Sequence, residues 1–587
     1  MSWRTFGAAT SLLFITTATY APGFKGAFLW DDYYWIQDNE ALRTPAGLSK
    51  IWLVPGWTSQ YYPLVYSSFW VEYHIWGLNT TGYVIVNTLL HGLNAVLLWL
   101  VLRRLAVPGA WLAAVLFAVH PVHVESVAWI QERKNVLSGL FFFATILAYL
   151  RFASIGPARQ PQPVSPAGQQ KHAPLWYFLA LALTACALLS KTAVCGLPAV
   201  LALLLWWKRD HLSRRDWLRL LPFFALAFLL GSVTVWVEKN FVGAQGDEWN
   251  FSILERCLLA GRVLWFYPAK LVWPVNLSFI YPRWQLDSAA WPQYLYPLAA
   301  IAVVTSLWLL RGRLGKGPVV AVLYFAGMLA PTLGFINYYP MRFSFVADHF
   351  VYVPSAGLLA LAAALVTRAL SRLPSRSPLR PTLAAALPLV LLSLTWKHGQ
   401  YFTDEVALWK NTLAKNPDCW LAHSTLAGIM NRKNEDRAAI EHAEAALRLN
   451  RDEVYAHYNL GVVLERNNAL ELAEKHLREA ARLAPDSCPA LLHLGGIRLK
   501  QGRLEEAAGY LVEEATMKPW SISALLMLAE TRARQQDWHE ACACLRKVCE
   551  LAPRTPDYHT ALANALDKIG AHTEAEAHRR EARQIEN

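Results

Sequence analysis

Leu426, Leu460, Leu494, Leu528 and Leu562 follow one another at 34-residue intervals, and each precedes Gly or Ala. Ala439, Ala473, Ala507, Ala541 and Ala575 keep the same step, as do Pro485, Pro519 and Pro553. A 34-residue unit with Leu-Gly/Ala in its first helix and Ala in its second is the tetratricopeptide pattern. The small residues let paired helices approach closely, and Pro stops the second helix. Pro417 lies 68 residues before Pro485, so 402–417 reads as the last helix of a further partial repeat. Such units stack into a superhelix whose concave face binds extended peptide; the other reading is a scaffold or dimer surface. Cys419, Cys488, Cys542, Cys544 and Cys549 fall here. Cys542 and Cys549 sit on one helix about 10 Å apart by helical rise, too far for a disulfide, so buried free thiols are expected.

Ahead of Trp396 the chain has a different character. Charged residues make up 17% of the sequence, against roughly a quarter in a soluble domain. With 26 Trp, 23 Tyr and 24 Phe, the aromatic load is of the kind that gathers at membrane–water interfaces. These figures exclude a disordered chain and a small disulfide scaffold, argue against one ordinary soluble enzyme, and suggest no nucleic-acid partner. A bilayer core needs about 20 mostly apolar helical residues. Such runs lie near 5–22, 82–102, 109–122, 135–151, 174–190, 193–207, 218–237, 254–273, 293–310, 318–336, 351–370 and 382–397. The first follows Arg4 and could pass for a signal peptide, but no clean cleavage site precedes Phe24, so it reads as a retained anchor.

Basic clusters fall at Arg103-Arg104, Arg151 to Lys171, Lys208-Arg209 with Arg214-Arg215, Arg311 to Lys316, and Arg368 to Arg380. All share the cytoplasmic side, as Lys and Arg prefer, if the run 254–273 lies along the membrane or re-enters it. That run carries Glu255, Arg256, Arg262 and Lys270, which suits an interfacial helix. The expected architecture is all-α: a polytopic domain over 1–397 with about eleven crossings, then an extracytoplasmic repeat domain over 398–587. Loops 23–81, 121–134, 238–292 and 337–350 fall outside, and 156–173 becomes a cytoplasmic linker.

Chemistry is concentrated in those outer loops. Asp31 and Asp32 are adjacent carboxylates among aromatics just past the first helix. One could act as general base, hold a divalent cation, or simply cap a helix. A second cluster runs His120, His123, Glu125, Glu132, Arg133, Lys134. Its cations could fix a phosphate. His120, His123 and Glu125 could be metal ligands or part of a hydrogen-bond network. Lys191, Lys270 and Arg342 follow as outward cations, with Asp348-His349 nearby; together they suit an anionic lipid headgroup, although each alone could be a snorkelling interface residue.

The blocks Leu29-Trp-Asp-Asp, Tyr62-Pro-Leu, Trp76-Gly-Leu-Asn79, Asn87-x-x-x-His91-x-x-Asn94, His120-Pro-Val-His-Val-Glu-Ser-Val-Ala-Trp129, Glu132-Arg-Lys134 and Ser190-Lys191 resemble the transmembrane and tetratricopeptide-repeat-containing protein O-mannosyltransferases and their bacterial homologues. The resemblance implies a GT-C glycosyltransferase fold. It also implies a polyprenyl-phosphate-linked donor, with mannose in the better-known members, and Ser/Thr hydroxyls of a protein as acceptor. It makes Asp31 and Asp32 the base candidates. Arg133, Lys134, Lys191 and Lys270 become the candidates for the lipid phosphate, and His120, His123, Glu125, Glu132, Tyr62, Arg342, Asp348 and His349 the surrounding network. A bacterial inner-membrane protein with a periplasmic repeat array is expected. Two positions depart from the family pattern: Tyr62 stands where Arg is common, and Asp348-His349 where Glu-Arg is common, which leaves the sugar open. The alternatives are a GT-C enzyme acting on a lipid or glycan, and a non-catalytic membrane scaffold.

Overall fold

The computed structural model describes residues 3–156, 173–209, 211–374, 377–486 and 488–586. Among these, every regular element is helical. The expected linker 156–173 lies, apart from its two end residues, outside the described residues, as do Lys171, Arg376 and the side chain of Arg4. The chain forms two compact units, Met1–Asn416 and Pro417–Asn587.

In the first unit, every apolar run forms a helix. Seven helices are long and apolar enough to cross a bilayer: Thr80–Arg104, Ile130–Phe152, Ala173–Ser190, Thr192–Arg209, Arg214–Val242, Trp291–Leu309 and Leu379–Phe402. An eighth candidate is the pair Ala110–Ala118 and Pro121–Ala128, bent by 53°, where Pro121 cannot donate the backbone bond that would continue the first half. The three other expected crossings, Trp3–Tyr20, Gly317–Thr332 and Ser355–Leu370, are helical but shorter or less apolar. The run set aside as interfacial is the helix Ile253–Val272. Leu298, Ile301, Leu389 and Val390 point outward from their helices, and a band of exposed large hydrophobics is stable only against an apolar surrounding. Ile130–Phe152, by contrast, is largely enclosed by its neighbours.

The loop after the first helix folds on its own aromatics. Phe28, Trp35, Tyr66, Phe69 and Tyr83 share one core, and Trp35 stacks on Tyr66 at 4.6 Å between centroids. The helix Pro63–Trp76 starts with Pro in its first turn and ends at Gly77, whose φ of 57° suits a residue without Cβ.

The boundary between units falls at Asn416, not at 397. The helix Glu405–Lys415, expected in a partial repeat, belongs to the first unit. Trp409 is fully buried against Trp30 and Phe279, while Lys415 and Asn416 donate to the carbonyls of Leu277 and Ile280.

The second unit is five helix pairs: Trp420–Arg432 with Asp436–Leu449, Val454–Arg466 with Leu470–Leu483, Ala490–Lys500 with Leu504–Met517, Ile522–Arg534 with Trp538–Leu551, and Pro556–Lys568 with His572–Glu586. The repeated Leu and Ala positions are all buried. Gly461 and Gly495 show why small residues recur beside them: a Cβ would stand 2.6 Å from Leu477 Cγ in one case and 2.7 Å from Leu511 Cγ in the other. Within each pair the turn passes through positive φ at Asn434, Asn468, Gly502, Gln536 and Gly570, again in 34-residue register. The cysteines are free thiols, and Cys419, Cys488, Cys542, Cys544 and Cys549 are buried.

Candidate functional site

Trp30 sets the site. Its φ is +44°, an uncommon conformation for a bulky residue. It is held there by its N–H donating to Glu405 Oε1 at 3.1 Å and by its ring, which stacks on Trp129 and meets Phe279, Phe343 and Trp409 edge-on. This kink gives the following two carboxylates different surroundings. Asp32 is 0% exposed; its Oδ2 accepts the Leu29 N–H at 3.0 Å and its Oδ1 the Gln131 N–H at 2.8 Å. It does not cap the short helix that follows, Tyr33–Gln37, but ties the loop to the residues before Glu132. Asp31 is half-buried and accepts one side-chain bond, from Gln131 Nε2 at 3.3 Å. Burial raises its pKa to about 6, against the pull of Lys134. Burial raises Asp32 well above the usual carboxylate range, against its two backbone bonds.

Glu132 gathers the cations. Its carboxylate lies 2.9 Å from Lys134 Nζ, 3.5 Å from Lys191 Nζ and 3.9 Å from His349 Nε2. Lys134 also donates to Gln131 Oε1 at 3.2 Å, so a continuous chain of contacts runs from Asp31 through Gln131 and Lys134 to Glu132. Lys191 donates to Asn135 Oδ1 at 2.8 Å. His349 bridges back to Glu125, with Nδ1 at 2.7 Å from Oε1 and its N–H donating to Oε2 at 3.2 Å.

Lys134, Lys191, His349 and Tyr62 line a cavity of about 750 Å³. Its other wall is apolar, with Phe228, Val235 and Trp236 from the long helix Arg214–Val242. A second cavity, of about 360 Å³, is lined mainly by aliphatic residues such as Leu98, Ile146 and Leu361. Among the described residues it is lined by no carboxylate, whereas Glu238 lines the first; Asp31 and Asp32 line neither.

Other candidates lie elsewhere. Arg133 is fully buried and faces Glu72, Ser68, Asn87 and the Tyr83 carbonyl, and does not line the cavity that Lys134 enters. Lys270 donates to the carbonyls of Val275 and Asn276. Arg342 pairs with Glu248 at 3.3 Å. Asp348 accepts from Tyr281 Oη at 2.8 Å, and burial, with Glu125 adding, raises its pKa. His120 meets the Leu271 carbonyl and the Val122 N–H. His123 meets the Phe117 carbonyl and Ser355 Oγ. Each ring nitrogen of these two histidines already faces a protein group, and Glu125 bonds His349, so the three make separate hydrogen bonds to different partners.

Sequence reading missed Glu72, Gln131, Asn135 and Glu238. Glu238 lines the cavity and accepts from Gln60 Nε2 at 3.0 Å and the Tyr339 N–H at 3.3 Å. Glu72 was visible as a lone carboxylate in an aromatic helix, a sign that a buried cation must sit opposite.

Residues 432–487 and 523–555 match the family of tetratricopeptide repeats. Protein O-mannosyl-transferase TMTC4 of Mus musculus is 30% identical over 35% of this chain and 31% of its own length. Protein O-mannosyl-transferase F38B6.6 of Caenorhabditis elegans is 22% identical over 75% of this chain and 62% of its own. The chain thus spans under two thirds of the length of either relative. Among solved structures, "Crystal structure of YrrB: a TPR protein with an unusual peptide-binding site" is 18% identical over 30% of this chain and 91% of its own length, with a TM-score of 0.27. The chain resembles the transmembrane and tetratricopeptide-repeat-containing protein O-mannosyl-transferases, and its C-terminal unit is a tetratricopeptide-repeat array.

Proposed function

We propose that the chain is a GT-C-type membrane glycosyltransferase. It moves mannose or another hexose from a polyprenyl-phosphate-linked donor to Ser/Thr hydroxyls of extracytoplasmic proteins. The observation that carries this reading is the cavity with Lys134 and Lys191 at its polar end and an apolar helix along its side. Around Glu132, two ammonium groups meet one carboxylate, which leaves a positive charge for a phosphodiester. The apolar wall suits the donor's hydrocarbon chain.

In the reaction, the acceptor hydroxyl attacks the anomeric carbon as its bond to the phosphate oxygen breaks, with inversion. Asp31 takes the hydroxyl proton, and a pKa of about 6 is well placed for a base near neutral pH. Lys134 and Lys191 hold the charge that develops on the departing phosphate, the kind of stabilisation that contributes most to such steps. Asp31 is also the member of the pair with an oxygen left over for a divalent cation, since one of its oxygens accepts from Gln131 and both oxygens of Asp32 accept backbone bonds. The repeat array presents the acceptor, and both it and the outer loops lie in the periplasm of a bacterial inner-membrane protein. The relatives' printed names, protein O-mannosyl-transferases, support the acceptor class.

The test is transfer from a polyprenyl-phospho-hexose to protein acceptors in nanodiscs. Asp31→Asn is expected to lower turnover by about 10²–10⁴-fold without loss of fold. Undiminished transfer by that variant overturns the reading.

A further inference from the structure

Histidines recur at two fixed places in the repeat unit. His423, His457 and His559 occupy one 34-residue register, and His442, His476 and His578 another. The partners meet Nδ1 to Nδ1, at 3.0 Å for His423–His442, 2.9 Å for His457–His476 and 3.0 Å for His559–His578. In every pair the first ring directs Nε2 at a carbonyl six residues earlier, that of Pro417, Arg451 or Pro553. A neutral ring that donates through Nε2 keeps a lone pair on Nδ1, which either accepts the partner's Nδ1–H or, when the partner also carries its proton on Nε2, shares a ligand with it.

The last pair has a third donor. Glu581, one turn beyond His578 on the helix His572–Glu586, places Oε2 3.6 Å from His559 Nδ1 and 3.7 Å from His578 Nδ1. A tetrahedral ion with ligands at about 2.0–2.1 Å separates its ligand atoms by about 3.3 Å. The three atoms therefore form one face of such a polyhedron, within a few tenths of an ångström.

We propose that His559, His578 and Glu581 bind a divalent first-row transition ion of the zinc type, which clamps the helix Pro556–Lys568 to His572–Glu586 and leaves a fourth position for water. Two imidazoles and one carboxylate select such an ion over calcium or magnesium, which take oxygen ligands. The Pro553 carbonyl orients His559, the support usual behind a ligating histidine. Glu581 is half exposed and His578 partly so, so the ion enters directly from solvent. The ligand atoms of His559, His578 and Glu581 all lie within 4.8 Å of one another, and Cys549 is not part of that group. This site is independent of the transferase reading.

The other two pairs act as internal controls. In the second repeat Glu479 stands in the register of Glu581, but Arg482 takes both of its oxygens, at 3.0 and 2.6 Å. The residue in the register of Arg482 in the last repeat is Gln584, and the first repeat has Ala445 in the carboxylate's place. Only the last pair combines both histidines with a carboxylate that no arginine holds.

The experiment uses the full chain in detergent, with its affinity tag cleaved and metals stripped, titrated with ZnCl₂ against a chromophoric chelator. One tight site per chain is expected. His578→Ala and Glu581→Gln should each weaken it by about tenfold or more, with circular dichroism in EDTA unchanged, while His442→Ala leaves it intact. Arg482→Ala should release Glu479 and raise the number of tight sites to two, a gain that misfolding cannot imitate. Tight binding that survives His578→Ala, or a stoichiometry unchanged in Arg482→Ala, overturns the assignment.

Discussion

Both oxygens of Asp32 accept backbone N–H groups in a fully buried position, whereas an Asn there offers one acceptor and turns an N–H toward another. Asp32→Asn is therefore expected to cost about 1–3 kcal/mol, read as a lowered Tm. Asp31 accepts only from a side chain, so Asp31→Asn should fold normally. The pH dependence separates them further. The folded protein holds Asp31 at about 6, above an unfolded value of about 3.9. Its stabilising contribution is thus complete below about 4 and lost as pH rises through about 6. Relative to the wild type, Asp31→Asn should gain stability across that window, while the wild-type transfer rate should fall as acid protonates the base. A Tm-versus-pH series for both variants checks this.

At the scale of elements, the turns inside the helix pairs carry the clearest expectation. Five of them need positive φ, and four use Asn or Gly, which tolerate it; Gln536 at φ 66° does not share that tolerance. Gln536→Gly should stabilise the array by up to about 1 kcal/mol, seen as a higher denaturation midpoint. The buried Leu and Ala ladder, the αα pairs and the apolar helices were all legible, because each repeats a period that packing imposes. The turn register was not read, since Asn, Gly and Gln share no side-chain chemistry and only backbone geometry unites them. The candidate site was legible as a set of residues and illegible in its division of labour. Arg133 and Lys134 are neighbours in sequence, but the turn into the helix Arg133–Phe152 sends one toward Glu72 and the other toward the cavity. Asp31 and Asp32 diverge for a similar reason, the reversal at Trp30. The first-unit helix Glu405–Lys415 was misassigned because its Leu and Trp pattern suits either unit, and only the aromatic pocket around Trp409 decides.

For the whole molecule, the two compact units suggest a division between chemistry and acceptor choice. A chain lacking 417–587 should still turn over donor with a small hydroxyl acceptor, and its transfer to protein acceptors should fall by tenfold or more. Mass spectrometry of both product classes checks it; retention of protein transfer would point to an array that only recruits partners. One feature of the first unit bears on kinetics. The cavity is walled on one flank by Phe228, Val235 and Trp236 of a helix long enough to cross a bilayer. A substrate that slides in past that flank never leaves the lipid phase, so its encounter is a search in two dimensions. Saturation would then follow the substrate's mole fraction among the surrounding lipids, and diluting the aqueous volume would leave the rate unchanged.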